Sequence, residues 1–204
     1  MRPRLVVASA NAGKVAEFRA LLDDLPYDIQ DLRDYPGLTL PPEGATSYAE
    51  NARAKARAAA RATGSVAVGD DSGLEVDALG GGPGVASARY GGPGLTDAQR
   101  VERLLVELGG APSRTARFRC VLALAAPWGA EALVEGVVEG LLTETPRGTG
   151  GFGYDPVFLL PEQGRTFGEL AAEEKDRVSH RARAALRARP ILREWAGRTP
   201  RPEP

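Results

Sequence analysis

Residues 5–22, LVVASANAGKVAEFRALL, decide how the fold begins. Residues 5–8 form a short apolar run of the kind that makes a buried strand. Small residues interrupt this run, and apolar side chains then recur at helical spacing within residues 14–22. The sequence therefore predicts a strand, a loop and a helix in direct succession.

Helical and strand-like segments alternate along the rest of the chain. Helical patterns lie at residues 48–62, 96–108, 170–178 and 181–195, and strand patterns lie at residues 66–69, 117–125, 132–142 and 157–160. The two long strands are expected to form an antiparallel pair. No internal repeat or linker interrupts the sequence, so residues 1–204 are predicted to form a single α/β domain around one continuous sheet. The Pro- and Arg-rich tail at 197–204 is expected to fray.

The composition excludes a strong overall electrostatic field. The 204 residues include 26 Lys and Arg against 27 Asp and Glu, so the formal net charge is −1. Such a chain does not attract nucleic acid or membranes through its overall charge, and any anion site must be local. Cys120 is the single cysteine, and its apolar neighbours indicate a buried side chain, not a nucleophile. We expect a cytoplasmic protein without disulfides, membrane spans or nucleic-acid partners.

The loop after the first strand has the features of a phosphate site. Its residues are small, polar or basic: Ser9, Ala10, Asn11, Ala12, Gly13 and Lys14. A strand that turns into a helix exposes backbone N–H groups at the positive end of the helix dipole, and Lys14 adds a charge. The second glycine and the Gly-Lys-Ser/Thr ending of a P-loop are missing. On its own the pattern also fits an ordinary turn.

An acidic tetrapeptide stands at the predicted end of the strand at 66–69. Asp70 and Asp71 precede Ser72 and Gly73 there. Adjacent carboxylates repel each other unless a cation or hydrogen bonds offset the repulsion. Mg²⁺ prefers hard oxygen ligands and often takes one or two carboxylates together with substrate phosphates. The alternative interpretation is a turn, because Asp-Ser-Gly is also good turn chemistry.

Two upstream segments could complete such an acidic site. Glu43 lies in a Pro/Gly-rich loop and is a candidate carboxylate for this site, and Glu50 is a nearby alternative. Lys55 follows Asn51 by four residues, which places both on one face of the predicted helix. Carboxylates, a lysine and a metal ion could together supply an attacking water, its base and a charge sink for phosphoryl transfer.

Residues 148–156, GTGGFGYDP, combine four glycines with two aromatic residues. Glycine lets a backbone approach a ligand closely, and an aromatic ring can stack on a base. Asp155 could bind the edge of a base or orient a neighbouring side chain. The alternative is a long loop whose aromatic residues fill the core.

A run of charged residues, 173–181, contains the only histidine of the chain. Lys175, His180 and Arg181 place three potential cationic donors near a predicted helix start, which fits binding of an anion or a carbonyl group. A solvated charged face is the simpler alternative.

Together these segments resemble the inosine triphosphate pyrophosphatases, also called XTP/dITP diphosphatases. The matching stretches occur in family order: SANAGKVAEF at 9–18, ENARAKA at 50–56, GDDSGLEV at 69–76, PGVASARY at 83–90, GGFGYDPVF at 150–158 and EKDRVSHR at 174–181. The resemblance runs from residue 5 to about residue 192. One departure is the Ser9-Ala10-Asn11 segment, where the family often has Thr-Gly-Asn; the hydroxyl is kept, but Ala10 has less backbone freedom than glycine.

The resemblance implies a fold, an assembly and a set of roles. The fold would be an elongated α/β structure with a long, twisted, mixed β-sheet, two lobes and an active-site cleft between them, usually as a homodimer. Residues 9–14 would hold the triphosphate, and Lys55 would neutralise charge that develops on the phosphates. The Mg²⁺ ligands would be Glu43, Asp70 and Asp71, with Asp71 as the base for the attacking water. The remaining substrate contacts would be Ser72, Phe152, Gly153, Tyr154, Asp155, Lys175, His180 and Arg181.

The implied reaction is hydrolysis of ITP, dITP or XTP to the monophosphate and pyrophosphate. Donors at Lys175, His180 and Arg181 would meet the 6-oxo group of these purines, whereas the amino group of adenine would face another donor, which is costly to bury. Three alternatives remain: a pyrophosphatase for other modified nucleotides, a non-catalytic nucleotide-binding module, and an RNA-binding protein. The third lacks the aromatic residues on a basic sheet that are typical of such modules.

Overall fold

The computed structural model describes residues 2–44 and 47–198, which form a mixed α/β fold around a seven-stranded sheet. The strands are β1 (Arg4–Val7), β2 (Asp28–Asp31), β3 (Val66–Val76), β4 (Thr115–Ala125), β5 (Glu131–Leu142), β6 (Phe158–Leu160) and β7 (Arg165–Thr166). The α-helices are α1 (Ala12–Leu22), α2 (Tyr48–Thr63), α3 (Asp97–Leu108), α4 (Ala172–Val178) and α5 (His180–Ala196). This confirms the predicted fold class.

The strand order is β2-β1-β3-β4-β5-β6-β7. Strand β1 runs parallel to both of its neighbours, with Val6 opposite Gln30 of β2 and Ala67 of β3. Strand β6 runs antiparallel to β5 and β7, with Leu159 opposite Leu141 and Thr166. The sheet is therefore mixed, and its parallel part contains the predicted strand–loop–helix unit.

Side-chain caps define where the helices begin. Ser47 caps α2, and Gly64 ends it in a left-handed conformation that costs glycine little. Thr96 caps α3, and the Gln99 side-chain oxygen accepts a hydrogen bond from the Thr96 N–H, which completes a capping box.

The chain divides into two compact units, each with its own core. As far as these ranges are described, the first unit comprises Met1–Asp71, Cys120–Gly136 and Arg181–Pro204, and the second comprises Ser72–Arg119 and Val137–His180. In the first unit, α1 and α5 pack on one face of the strands and α2 packs on the other. In the second unit, the core surrounds the rings of Phe118, Phe158 and Phe167.

The structure corrects the predicted end of β3. Asp70, Asp71, Ser72 and Gly73 lie inside an eleven-residue strand, not at its tip or in a turn. Strand pairing here overrides the local turn preference of the Asp-Ser-Gly sequence. Of the predicted frayed tail, residues 199–204 lie outside the described part, and α5 ends just before Gly197. The expected cleft between two lobes stays a prediction.

Within the described residues, no helix is both long enough and apolar enough to cross a bilayer. Cys120 is fully buried, as predicted, and burial raises the pKa of its thiol to about 12. A thiol in this environment stays protonated and does not act as a nucleophile.

Candidate active site

The loop between β1 and α1 forms the predicted turn from strand to helix. Asn11 caps α1, because its side-chain oxygen accepts a hydrogen bond from the Lys14 N–H at 3.1 Å. The Ser9 hydroxyl accepts a hydrogen bond from the Asn11 N–H at 3.3 Å. The N–H groups of Ala12 and Gly13 lie in the first helical turn, where helix geometry supplies no intrahelical partner. The side-chain oxygens of Ser9 and Asn11 thus organise the loop, and its backbone amides and Lys14 are the candidate groups for binding an anion.

Lys14 connects this loop to the acidic strand. Its ammonium group lies 2.8 Å from a carboxylate oxygen of Asp70, and both side chains are largely buried. The family resemblance implied one site for this loop and the aspartates of β3, and the structure places Lys14 of the loop against one of them, Asp70.

Asp70 and Asp71 contact different helices, although the charges of Lys14 and Lys55 act on both carboxylates. Side chains alternate along a strand, and the observed partners agree: Asp70 contacts Lys14 of α1, whereas Asp71 accepts a hydrogen bond from the Asn51 amide of α2 at 2.8 Å. The two carboxylates therefore do not form the side-by-side repulsive pair expected from their adjacency in sequence.

Helix α2 contributes two buried polar side chains from one face, as predicted. Asn51 binds Asp71 and also donates to the Gly44 carbonyl at 3.1 Å, while the Lys55 ammonium lies 2.7 Å from a Glu43 carboxylate oxygen. Gly69 lets α2 come this close, because an added Cβ would lie 2.5 Å from the Ala52 carbonyl oxygen. Glu43, and not Glu50, is the carboxylate that the structure places beside Lys55.

The pKa values of the two aspartates move in opposite directions. Burial alone would raise the pKa of Asp70, but the charges of Lys14, Lys55 and Arg181 outweigh it and hold the pKa at about 2. Burial raises the pKa of Asp71 above its ordinary value, because the Asn51 hydrogen bond and the Lys55 charge offset it only in part. Asp70 is thus a permanent anion, whereas Asp71 binds a proton more readily.

Lys55 stays cationic despite its burial. Burial lowers its pKa, but the negative charge of Asp70 and the contact with Glu43 outweigh this effect, so the pKa of Lys55 is raised. A buried, permanently charged ammonium suits stabilisation of phosphate oxygens.

This unit also contains a buried ion pair that the sequence did not predict. Glu17 on α1 accepts a hydrogen bond from the Arg181 guanidinium at 2.8 Å, and both side chains are mostly buried. Arg181 also acts on Asp70 through its charge. Its described contacts thus lie in the first unit, near Lys14 and Asp70, whereas the predicted companions Lys175 and His180 belong to the second unit.

In the second unit, Lys175 forms a buried ion pair with Asp155. The ammonium group lies 2.5 Å from a carboxylate oxygen of Asp155, and it sits 4.8 Å from the centroid of the Phe152 ring and 5.7 Å from that of Phe167. The same carboxylate oxygen accepts a hydrogen bond from the Phe152 N–H at 2.8 Å. Three of the predicted substrate-binding residues are therefore held together by one carboxylate.

His180 and Tyr154 are core residues of the second unit. The His180 ring is fully buried and stacks on Phe118, with centroids 4.7 Å apart and planes 10° from parallel. Tyr154 donates a hydrogen bond to the Ser87 carbonyl at 2.9 Å, and burial raises the pKa of its hydroxyl. Ser72 lies half-buried in β3, and the Gly153 N–H donates to Asp97 at 2.8 Å.

An open groove of about 710 Å³ lies in the second unit between α3 and residues 144–153. Phe152 forms part of its wall, together with Val101 and Leu105 of α3. The ionisable residues that line it, within the described part of the chain, are all acidic: Asp97, Glu102 and Glu144. Such a lining suits an apolar or weakly polar group and opposes a triphosphate.

The chemistry of the first unit fits a hard divalent cation that substrate phosphates help to bind. Glu43, Asp70 and Asp71 supply only oxygen ligands, as Mg²⁺ prefers. Within the described residues, no three Asp, Glu, His or Cys side chains converge as a preformed metal group. Mg²⁺ commonly binds through one or two carboxylates and completes its shell with water and phosphate.

Comparison with known proteins places this geometry in a family. The sequence profile of the Ham1 family matches residues 5–191. A protein named dITP/XTP pyrophosphatase from Geobacillus kaustophilus is 52% identical over 182 residues, which cover 88% of this chain and 89% of that protein.

Solved structures agree over nearly the whole chain. A HAM1 protein from Coxiella burnetii is 40% identical with a TM-score of 0.82, covering 94% of this chain and 99% of its own. A protein from Mycobacterium abscessus, described as a nucleoside-triphosphatase and dITP/XTP pyrophosphatase, is 42% identical with a TM-score of 0.73, covering 93% of this chain and 100% of its own. These matches confirm the resemblance drawn from the six sequence motifs: the chain belongs to the Ham1 family.

Proposed function

We propose that this chain hydrolyses deaminated purine nucleoside triphosphates (ITP, dITP and XTP) to the nucleoside monophosphate and pyrophosphate. The observation that carries the proposal is the 2.8 Å contact between Lys14, in the amide-rich loop, and Asp70, in the acidic strand. It joins an anion-binding loop to a buried carboxylate, and phosphoryl transfer through a bound cation requires both kinds of group. The name dITP/XTP pyrophosphatase, which relatives such as the Geobacillus protein carry, supports the same substrate class.

The triphosphate end belongs to the first unit. Residues 9–14 offer backbone amides at a helix N-terminus, the Lys14 charge and no acidic residue in the first helical turn. Lys55, buried beside Glu43, provides a second fixed cation for charge that develops on the phosphates.

Mg²⁺ is the proposed cofactor, with Glu43, Asp70 and Asp71 as its protein ligands. When bound, it would neutralise phosphate charge and lower the pKa of a coordinated water. Asp71 is the proposed base, because Asn51 orients its carboxylate and leaves it an acceptor for a proton from water. Asp70, which stays anionic, instead supplies constant charge.

The base end is assigned to Lys175, with Phe152 as a stacking surface. Lys175 sits against the Phe152 ring and can donate toward a 6-oxo group. Adenine presents an amino donor at the same position, and a donor facing a donor leaves both without a partner. Such a mismatch discriminates by a factor of about 10² or more.

We also propose that the protein acts in the cytoplasm as a homodimer and removes these nucleotides from the precursor pool of DNA and RNA. Its partners would then be small nucleotides and a second copy of itself. The acidic groove beside Phe152 and the near-neutral net charge both disfavour a nucleic-acid partner.

The proposal is tested by turnover of dITP, XTP, dGTP, dATP and dTTP with Mg²⁺, using separate assays for pyrophosphate and orthophosphate. We expect stoichiometric pyrophosphate, and a kcat/KM for dITP about 100-fold or more above those for dGTP and dATP. Guanine also carries a 6-oxo group, so the preference over dGTP must act through its 2-amino group. Orthophosphate as the product, or equal turnover of all five nucleotides, would exclude the proposed activity.

A further inference from the structure

One carboxylate oxygen organises the aromatic loop of the second unit. Oδ2 of Asp155 accepts hydrogen bonds from the Lys175 ammonium at 2.5 Å and from the Phe152 N–H at 2.8 Å. The Asp155 and Lys175 side chains are 3% and 5% exposed, so water does not substitute for either partner easily. A lysine side chain is long and flexible, and this contact fixes where its ammonium group lies.

Gly151 provides the space for this carboxylate. A Cβ at this position would lie 2.0 Å from Oδ2 and 2.8 Å from Cγ of Asp155, far inside van der Waals contact. The backbone φ of Gly151 is also +71°, which residues with side chains rarely adopt. A side chain at 151 would therefore expel the Asp155 carboxylate from its position as well as strain the loop.

The packing of the rest of the loop leaves Asp155 little room to move. A Cβ on Gly148 would lie 2.1 Å from the Gly168 carbonyl oxygen, and the Gly150 N–H donates to that same oxygen at 2.8 Å. Glycines that looked suited to approaching a ligand thus hold the loop against the segment before α4, the helix that carries Lys175.

We propose that Gly151 is a positioning residue for base recognition: its missing side chain lets Asp155 hold Lys175 against Phe152, where Lys175 meets the purine. This inference rests on the proposed function, which assigns Lys175 to the base. Gly151 itself touches no substrate in this scheme. Losing the orientation of Lys175 removes a binding contact and leaves the water-activating groups near Asp71 in place, so KM changes more than kcat.

The first experiment compares Gly151→Ala with Gly164→Ala. Gly164 has a φ of +64° and no atom within 4 Å of an added Cβ, so its variant carries the backbone strain without the clash. For Gly151→Ala we expect KM for dITP to rise roughly 10- to 100-fold, the scale of a lost hydrogen bond from a charged group. We also expect kcat within about threefold of wild type, and a lower preference for dITP over dATP. Gly164→Ala should keep both constants near wild type.

A double-mutant cycle separates the clash from strain. Asp155→Ala alone should raise KM for dITP as Gly151→Ala does. In the Asp155→Ala background no carboxylate remains to be displaced, so adding Gly151→Ala should raise KM no further than adding Gly164→Ala does. Equal effects of Gly151→Ala with and without the carboxylate would overturn the inference. A Gly151→Ala variant that loses kcat but keeps the wild-type KM would also overturn the inference.

Asp155→Asn tests the same claim without steric change at position 151. It keeps the side-chain size but loses the charge that holds Lys175, and we expect the same rise in KM. An unchanged KM for dITP in Asp155→Asn would contradict the inference even if the Gly151 variant did not fold. Failure of the proposed function would look different, because wild-type protein would then not release pyrophosphate from dITP.

Discussion

Asp70 and Asp71 are neighbours in sequence but have different surroundings. The Asp70 carboxylate faces three cationic side chains, which outweigh its burial and keep it ionised with a pKa of about 2. Asp71 accepts a hydrogen bond from the neutral Asn51 amide, and burial raises its pKa because this bond and the Lys55 charge offset burial only in part. Because the two carboxylates contact different helices, one strand supplies both a fixed charge and a proton acceptor.

Replacing Asp71 with asparagine tests its role as the base. The change keeps the shape and a hydrogen-bonding partner for Asn51 but removes the proton acceptor, so we expect kcat for dITP to fall by about 10²–10⁴-fold. Steady-state kinetics with Mg²⁺ in excess would measure this, with Asp77→Asn as a control at an exposed carboxylate that contacts Thr115 and Arg117. Near-wild-type turnover by Asp71→Asn would remove Asp71 from the mechanism.

Individual residues of the candidate site could be predicted only where they lie in recognisable sequence motifs. The contact between Glu17 and Arg181 joins residues 164 positions apart, and no local sequence pattern predicts it. Glu17 follows Lys14 by one helical turn and lies in the matching stretch at 9–18, but neither fact identifies Arg181 as its partner. The burial of His180 against Phe118 was equally hidden, because a lone histidine before a helix does not reveal what packs on its ring.

At the level of elements, periodicity predicted every α-helix and the longer strands, to within a few residues at each end. It missed β2 and β7, because the sequence DIQD is polar and the second strand is only two residues long. It also ended β3 too early, since the Asp-Ser-Gly sequence resembles a turn when it is read without its sheet partners. Short edge strands and strand interiors with turn-like residues are defined by tertiary pairing.

The end of β2 provides a prediction about pH and stability. Hydrogen bonds from Arg33 lower the pKa of Asp31 against the opposing effect of burial, and Arg19 adds to this. A lowered folded-state pKa stabilises the fold above the ordinary carboxyl pKa of about 4, and this contribution is lost as pH falls through the lower folded value. Asp31→Asn should therefore lower the free energy of unfolding by about 1–3 kcal/mol at pH 7, and by less at pH 3.

Urea unfolding at both pH values measures this difference. Asp28→Asn, at the exposed start of the same strand, is the control and should change stability little at either pH. A deficit for Asp31→Asn that stays constant from pH 7 to pH 3 would show that the charge of Asp31 contributes nothing to the fold.

At the scale of the whole molecule, charge is placed locally and not globally. The net charge is −1, yet the first unit brings together three cations and three carboxylates of the candidate site: Lys14, Lys55, Arg181, Glu43, Asp70 and Asp71. A cation would therefore bind weakly to the protein alone and more tightly together with the triphosphate.

Thermal unfolding tests this cooperation between metal and nucleotide. We expect Mg²⁺ alone to raise Tm slightly, and Mg²⁺ with a non-hydrolysable dITP analogue to raise it by more than the sum of the two separate effects. A chelator should abolish turnover of dITP, and added Mg²⁺ should restore it. Full activity in excess chelator would rule out a metal-dependent reaction.

The position of bond cleavage tests the account most directly. Hydrolysis of dITP in water enriched in heavy oxygen, followed by mass spectrometry of both products, shows which phosphorus the water attacks. If the amide-rich loop at residues 9–14 and the aspartates of β3 direct water against the phosphate next to the sugar, the heavy oxygen will appear in dIMP and not in pyrophosphate. Label in pyrophosphate, or in released orthophosphate, would contradict the account.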